Sequence, residues 1–489
     1  MAILDSSVVN VATPKMMMVY ATDQSTIEWV ITAYTLTEGM LTPVSGYLAD
    51  RFGAKRMYQY ALLIFVLGSA LCGIAWSVSS LIIFRVLQAT GGALLMPISM
   101  TILYSMAKPE KRGLVIGIWG IAIMFAPALG PTISGFILEY FNFRLIFYIN
   151  VPIGIINFFM VKAYIPELET NNYGKFDLPG FITCVIGFFC LLYAISDAST
   201  SGWLSVKIIS LLTAATFFLA LFTVFELTTD NPMVELRLFK IRSFLISNIS
   251  VFVITIGMMG ILFILPIFLQ NGLGFSPLKT GLLMMPAALV TAVLMPISGG
   301  LYDKFGARPL AISGITVMLI GSLLFINLNF NWTYMAIMMV YMFRTAGMGL
   351  AMMPLSTAGL DSVPAHLLNK GSALQNSLRN IAGSLGVAIL GSVMTTHSNL
   401  SFATYMQNVS VQSAQKIAAY GLSPSVYGIT NSSDVIHLMS VLKQFAFVNG
   451  VRKALIITTI VTLISLILSL FIESKKKLVI SQDEKAKFH

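Results

Sequence analysis

Runs of about twenty apolar residues, separated by short polar loops, recur along the whole of this 489-residue chain. At 1.5 Å per residue such a run, coiled as an α-helix, covers the roughly 30 Å of a bilayer's hydrocarbon. A soluble fold has no use for so many of them. Only 10% of the residues are charged against 57% hydrophobic, whereas about 25% charged is usual for soluble domains. The length is therefore spent on membrane spans and not on one water-excluding core.

The spans are expected at about 1–19, 29–49, 57–77, 80–105, 113–138, 144–164, 178–198, 205–226, 244–269, 278–301, 309–329, 332–356, 371–396 and 447–472. The first is short. Met1 to Pro14 gives only about 20 Å of helix, so it reads as the second half of a span. The expectation is a native start roughly 10–25 residues earlier, or a truncated copy.

Lys and Arg set the orientation. They fall in alternate loops: Arg51, Lys55 and Arg56; Lys108, Lys111 and Arg112; Arg237, Lys240 and Arg242; Lys304 and Arg308. The tail ESKKKLVISQDEKAKFH adds more. The opposite loops are almost free of positive charge until Lys416 and Lys443. Both termini are thus expected in the cytoplasm, which requires an even number of spans. The net charge of +10 is spread over these loops and suits anionic lipid headgroups, not nucleic acid.

A loop sequence repeats. PVSGYLADRFGAKR begins at Pro43 and PISGGLYDKFGARP at Pro296. Gly46 and Gly299, Asp50 and Asp303, and Gly53 and Gly306 share the same separation (296 − 43 = 253). Arg85 and Arg344 stand at nearly the same offset, 259. Duplication implies two related halves about a pseudo-two-fold axis along the membrane normal, with a substrate site between them near mid-membrane.

These motifs resemble the major facilitator superfamily, and within it the fourteen-span drug:proton antiporters of the EmrB/QacA type. GYLADRFGAKR resembles the family's loop between spans 2 and 3. FRVLQATGGA resembles its span-4 motif around a buried Arg, and GIWGIAIMFAPALGPTISG its span-5 antiporter motif, with Ala126 and Ser134 where Gly is common. LDSSVVNVATP and FYINVPIG resemble marks of the fourteen-span branch. The resemblance implies an all-α polytopic membrane protein with the major facilitator fold. It would comprise a six-helix half (1–165), two linking helices (166–243), a second six-helix half (244–472) with a long external loop at about 397–445, and a cytoplasmic tail (473–489).

Read physically, Asp50 ends span 2, where it can cap helix N–H groups and pair with Arg51 or Arg56. The resemblance makes this loop and its copy a cytoplasmic gate, formed by Gly46, Asp50, Arg51, Gly53, Arg56, Gly299, Asp303, Gly306 and Arg308. Arg85 sits inside span 4, and a guanidinium there is costly unless paired or hydrated. The family's matching Arg is tied to proton coupling. Asp5 in span 1 and Glu38 in span 2 are the candidate proton-coupling acids. A carboxyl that is either protonated or bound to a cationic drug, but not both, is the minimal device for antiport. Met258 and Thr291 stand at their repeat positions, so the acids belong to the first half alone. Gly117, Gly130, Pro131 and Gly135 carry the span-5 antiporter motif, where small residues allow close packing and proline bends the helix. Asn10, Gln88, Phe125, Gln270, Asn376 and Arg379 are candidates for the substrate cavity. With 28 Met and 33 Phe the spans also have the soft, aromatic side chains of a promiscuous pocket.

No catalytic constellation or ATP-binding Gly-x-x-x-x-Gly-Lys-Ser/Thr loop occurs in the sequence, so no enzyme activity and no cofactor are expected, and energy is expected from a proton gradient. His366, His397, His437 and His489 are placed in loops or the tail at spacings that suit no metal site, and Cys72, Cys184 and Cys190 show no paired spacing. The leading expectation is a proton-coupled exporter of amphipathic toxic compounds in a bacterial cytoplasmic membrane, working as a monomer. Its partners would be small amphipathic substrates, protons and the bilayer, with no nucleic acid. Rival readings are export of a specific metabolite, lipid or bile-type acid, the inner-membrane part of a three-component pump with an adaptor protein, and a receptor or scaffold that has lost transport.

Overall fold

The computed structural model describes residues 1–22, 24–108, 111–167, 177–229, 232–408 and 432–472. Helix dominates, because the apolar runs can satisfy their backbone groups in lipid only within themselves. The helices are α1 (Ala2–Tyr20), α2 (Gln24–Leu41), α3 (Ser45–Phe52), α4 (Ala54–Ile74), α5 (Val78–Met106), α6 (Arg112–Tyr140), α7 (Leu145–Tyr148), α8 (Asn150–Tyr164), α9 (Leu178–Ser201), α10 (Val206–Thr228), α11 (Arg242–Ile267), α12 (Pro277–Phe305), α13 (Ala307–Phe325), α14 (Tyr334–Asp361), α15 (Leu368–Asn408) and α16 (Ser432–Ser469). Among the described residues, eleven helical segments are long and apolar enough to cross a membrane. The remaining expected spans coincide with α1, with α2 joined to α3 through a 3-10 turn, and with α6.

The two halves pack by the same rules. Gly68 of α4 lies against Gln88 of α5, where a Cβ would come within 2.5 Å of Gln88 Cα. Gly321 of α13 lies against Arg344 of α14 in the same way, at 2.6 Å from its Cβ. Gly53 and Gly306 break the chain between α3 and α4 and between α12 and α13, with φ of 88° and 80°, a region L-residues avoid and glycine enters freely.

Across the halves the pairing is reciprocal. Helix α6 runs along α12, and α15 runs along α3 and α5. Between them lies an apolar core rich in methionine, including Met100, Met258, Met295, Met348, Met352 and Met353. The helix pair α9–α10 packs on α2 and on α15.

One expected boundary moves. The polar stretch 397–445 is not all loop: α15 continues to Asn408 and α16 begins at Ser432. Ser, Asn and Gln at these ends do not break a helix when a neighbour supports it. Here Asn449 donates to Ser401 Oγ at 2.8 Å, and Gly450 lets α16 approach Ser398. His397 and His437 therefore lie in helices, not loops. The segment QSAQKIAAYG, a candidate amphipathic helix, lies outside the described residues.

Candidate functional site

Asp5 is placed by α1 deep inside the first half, 2% exposed. Its carboxylate pairs with the Arg85 guanidinium of α5. Gln88 Nε2 donates to it at 3.0 Å and Asn150 Nδ2 at 2.7 Å. Arg85 in turn donates to Gln88 Oε1 at 2.7 Å and to the Val30 carbonyl at 3.3 Å, and lies 4.0 Å over the Tyr34 ring. This closes a four-residue network on α1, α5 and α8. A buried charge pair persists only when its remaining donors and acceptors are also met. Asn150 belongs to the FYINVPIG segment, and its donor role was legible only as part of that motif.

Glu38 stands one helical turn from Tyr34 on α2 and is half-buried. Its carboxylate has no hydrogen-bond partner among the described residues, and the charged groups acting on it are Arg85 and Asp5. Two acids that look alike in sequence are thus unlike in place: Asp5 is saturated, and Glu38 has no such partner among the described residues.

The second half lacks this arrangement. Gln88 Nε2 donates to Ser69 Oγ at 2.7 Å, and Arg344 Nε donates to Ser322 Oγ at 2.9 Å. Ser69 and Ser322 are 253 residues apart (322 − 69), so Arg344 occupies the place of Gln88, not of Arg85. Its Nη2 reaches the Gly257 carbonyl at 3.3 Å, beside Met258, where the first half has Asp5.

At the Lys- and Arg-rich face the repeated loop residues cross between halves. Asp50 accepts from Asn369 Nδ2 at the start of α15. Asp303 accepts from the backbone N–H of Gly113 at 3.2 Å and of Leu114 at 3.4 Å, at the start of α6. Gly46 faces the backbone of Asn369 and Lys370, and Gly299 faces that of Gly113. The neighbouring cations do otherwise. Arg51 donates to Tyr47 at 2.7 Å, Arg56 pairs with Glu167 at 3.7 Å in solvent, and Arg308 is exposed. Asp50 thus reaches Asn369 of the opposite half, a partner the sequence did not offer beside Arg51 and Arg56, because α15 begins there.

Sequence reasoning missed two further parts of this face. Asp361, ending α14, accepts from Tyr104 of α5 and, at 2.6 Å, from Tyr302 of α12, and lies 3.6 Å from Arg112. Lys370, 2% exposed, donates to the Pro232 carbonyl at 2.7 Å, with Glu235, Asp50 and Glu226 as the acids around it. An acid on a positive face and a lysine at a helix start were the available signals.

Of the span-5 motif, Gly117 lies on Met295 and Pro296 of α12, and Gly130 on Ser7 of α1, whereas nothing lies within 4 Å of a Cβ on Gly135. Ser134 donates to the Val8 carbonyl at 3.0 Å. The side chains of Pro131, Phe125 and Asn10 lie outside the described residues. Among the other cavity candidates, Gln88 belongs to the Asp5 network. Asn376 donates to the Ser372 carbonyl at 2.9 Å and touches Met100 Sδ at 3.7 Å. Arg379 donates to Ser356 Oγ at 3.0 Å. Gln270 is exposed in a π-helical turn (Phe268–Gly272) at the far end of α11, apart from the rest.

Comparison with known proteins bears on this architecture. Residues 1–387 match the family model of the Major Facilitator Superfamily. Over 489 residues the chain is 36% identical to an uncharacterized MFS-type transporter, YhcA, of Bacillus subtilis, covering 98% of this chain and 91% of that one. It is 31% identical to the lincomycin resistance protein LmrB of the same organism, over 79% and 81% of the two chains. The crystal structure of the human organic anion transporter MFSD10 superposes with a TM-score of 0.61 at 10% identity, covering 96% of each chain, a likeness of fold alone.

Proposed function

This chain belongs to the major facilitator superfamily, and from that premise we propose that it is a proton-coupled exporter of amphipathic drugs or other toxic compounds. It is a multi-pass membrane transporter, and relatives include a protein named for lincomycin resistance. The observation that carries the coupling is Glu38: a half-buried carboxyl beside Arg85, with no hydrogen-bond partner among the described residues. Such a group can exchange a proton with a water-filled space, while Asp5, tied to Arg85, Gln88 and Asn150, serves as the fixed counter-charge. The methionine-rich core between the halves suits varied apolar cargo. With both termini in the cytoplasm, the repeated loops close the cytoplasmic face and the cavity alternates about the interface. A membrane potential supplies about 2.3 kcal/mol per proton charge per 100 mV, enough for about fiftyfold accumulation.

The test is ethidium or Hoechst efflux from a pump-deficient host, with and without a protonophore. Gradient-dependent efflux is expected from the wild type and is abolished in Glu38→Gln at normal protein levels. Efflux that ignores the gradient, or that survives Glu38→Gln unchanged, overturns the coupling.

A further inference from the structure

The second half contains a buried polar cluster that the coupling site does not use. It lies where α11, α14 and α15 meet. Arg379 Nη2 donates to Ser356 Oγ at 3.0 Å and Gln375 Nε2 to the Ser356 carbonyl at 3.3 Å. One turn along α14, the missing side chain of Gly359 admits Gln375 Nε2 and Asn248 Nδ2, which would lie only 3.3 and 3.5 Å from a Cβ there, with Ser247 Cβ also 3.5 Å away. Four side-chain atoms of this cluster are buried and unpartnered: the donor Arg379 Nε, the Ser247 hydroxyl, and the acceptors Gln375 Oε1 and Asn248 Oδ1.

Unmet polar atoms in a membrane interior are expensive, and native proteins leave few. The charge balance is more telling still. No ionised side chain acts on Arg379 among the described residues. The first half neutralises its buried guanidinium with Asp5. Arg379 has no such partner, yet it is half-buried within the membrane. It lies eleven residues into α15, about 16 Å from the gate end. Gln375 Nε2 and Asn248 Nδ2 already donate to the Ser356 and Phe244 carbonyls, but each amide keeps a second N–H, and these with Arg379 Nε and the Ser247 hydroxyl, with no carboxylate beside them, are the donor set of an anion site.

We propose that Arg379, Gln375, Ser356, Ser247 and Asn248 around Gly359 bind the anionic group of an amphipathic cargo, a carboxylate first of all, entering from the gate side. This rests on the transporter reading and adds a substrate class to it. The anion lies on the second half while Glu38 lies on the first, so one molecule in the cavity bridges the two.

The test is binding, which needs no gradient and so stands or falls apart from efflux. The full-length protein in phosphatidylcholine nanodiscs is titrated with radiolabelled dodecanoate and with its cationic counterpart dodecyltrimethylammonium. Saturable dodecanoate binding is expected, weakened roughly tenfold or more in Arg379→Gln, less in Arg379→Lys, and with the cation's binding unchanged. Gln375→Glu places a carboxylate beside the guanidinium and is expected to abolish dodecanoate binding while keeping the fold, which serves if Arg379→Gln does not fold. Chloride binding that depends on Arg379, without dodecanoate binding, keeps the anion site with a free ion as occupant. Dodecanoate and chloride both indifferent to Arg379 and to Gln375→Glu overturn the proposal.

Discussion

Asp303 of α12 accepts from the backbone N–H of Gly113 at 3.2 Å, so a carboxylate from one half caps the first turn of a helix from the other. The partial positive charge of a helix N-terminus favours an acid there. Its repeat partner Asp50 meets the start of α15 through Asn369. Each half thus meets the start of a helix of the opposite half, Asp303 through the backbone of α6 and Asp50 through the Asn369 side chain.

If these contacts hold the face shut, neutralising either acid favours opening. Asp50→Asn and Asp303→Asn are each expected to lower efflux several-fold at unchanged protein levels. Cysteines at 50 and 369, in a background lacking Cys72, Cys184 and Cys190, are expected to cross-link and to stop transport until reduced. Full activity in the cross-linked protein counts against a moving gate.

Asp5 and Glu38 are expected to separate in their effects. Asp5→Asn leaves Arg85 buried without its counter-charge, a loss of about 3–5 kcal/mol for comparable buried pairs. Low yield and a lowered unfolding temperature are expected, with partial recovery in Asp5→Asn with Arg85→Gln. Glu38→Gln is expected to unfold at the wild-type temperature. Thermal denaturation in detergent distinguishes them, and equal destabilisation of the two single variants defeats the assignment.

The sequence made the helices and the repeated loop legible, because run length and a constant separation survive without any tertiary contact. The pairing of Arg344 with Arg85 failed for a local reason. The link between α4 and α5 is shorter than that between α13 and α14, so Ser69 and Ser322 keep a separation of 253 while Gln88 and Arg344 are 256 apart (344 − 88). One turn of register decides which residue faces Ser322. Lys370, Asp361 and the Arg379 cluster were obscure for another reason. Their partners come from helices remote in sequence, and no periodicity marks them.

Lys370 joins the segment after α10 to the start of α15 at the Lys- and Arg-rich face. It holds the Pro232 carbonyl at 2.7 Å, while Trp203 Nε1 donates to Ser392 Oγ at 3.0 Å further along α15. Lys370→Met leaves Glu226, Glu235 and Asp50 without their central cation. A fall of several degrees in the unfolding temperature is expected, partly restored by adding Glu226→Gln. An unchanged temperature in Lys370→Met shows that the contact contributes nothing.

The span-5 motif is expected to divide by packing. A Cβ on Gly130 meets the Ser7 side chain, and one on Gly117 meets Met295 O at 2.6 Å. Backbone cannot yield as a flexible side chain can, so Gly117→Ala must push α6 off α12. Gly135 has nothing within 4 Å of such a Cβ. Gly135→Ala is therefore expected to export at the wild-type rate, and Gly117→Ala and Gly130→Ala each to lose most efflux, because a Cβ on Gly130 lies 2.6 Å from Ser7 Cβ, which no rotation of that side chain moves. Efflux rates normalised to membrane protein level give the order. Loss of function in Gly135→Ala, with Gly117→Ala active, would show that the motif acts through something other than the contact of α6 with α12 and α1.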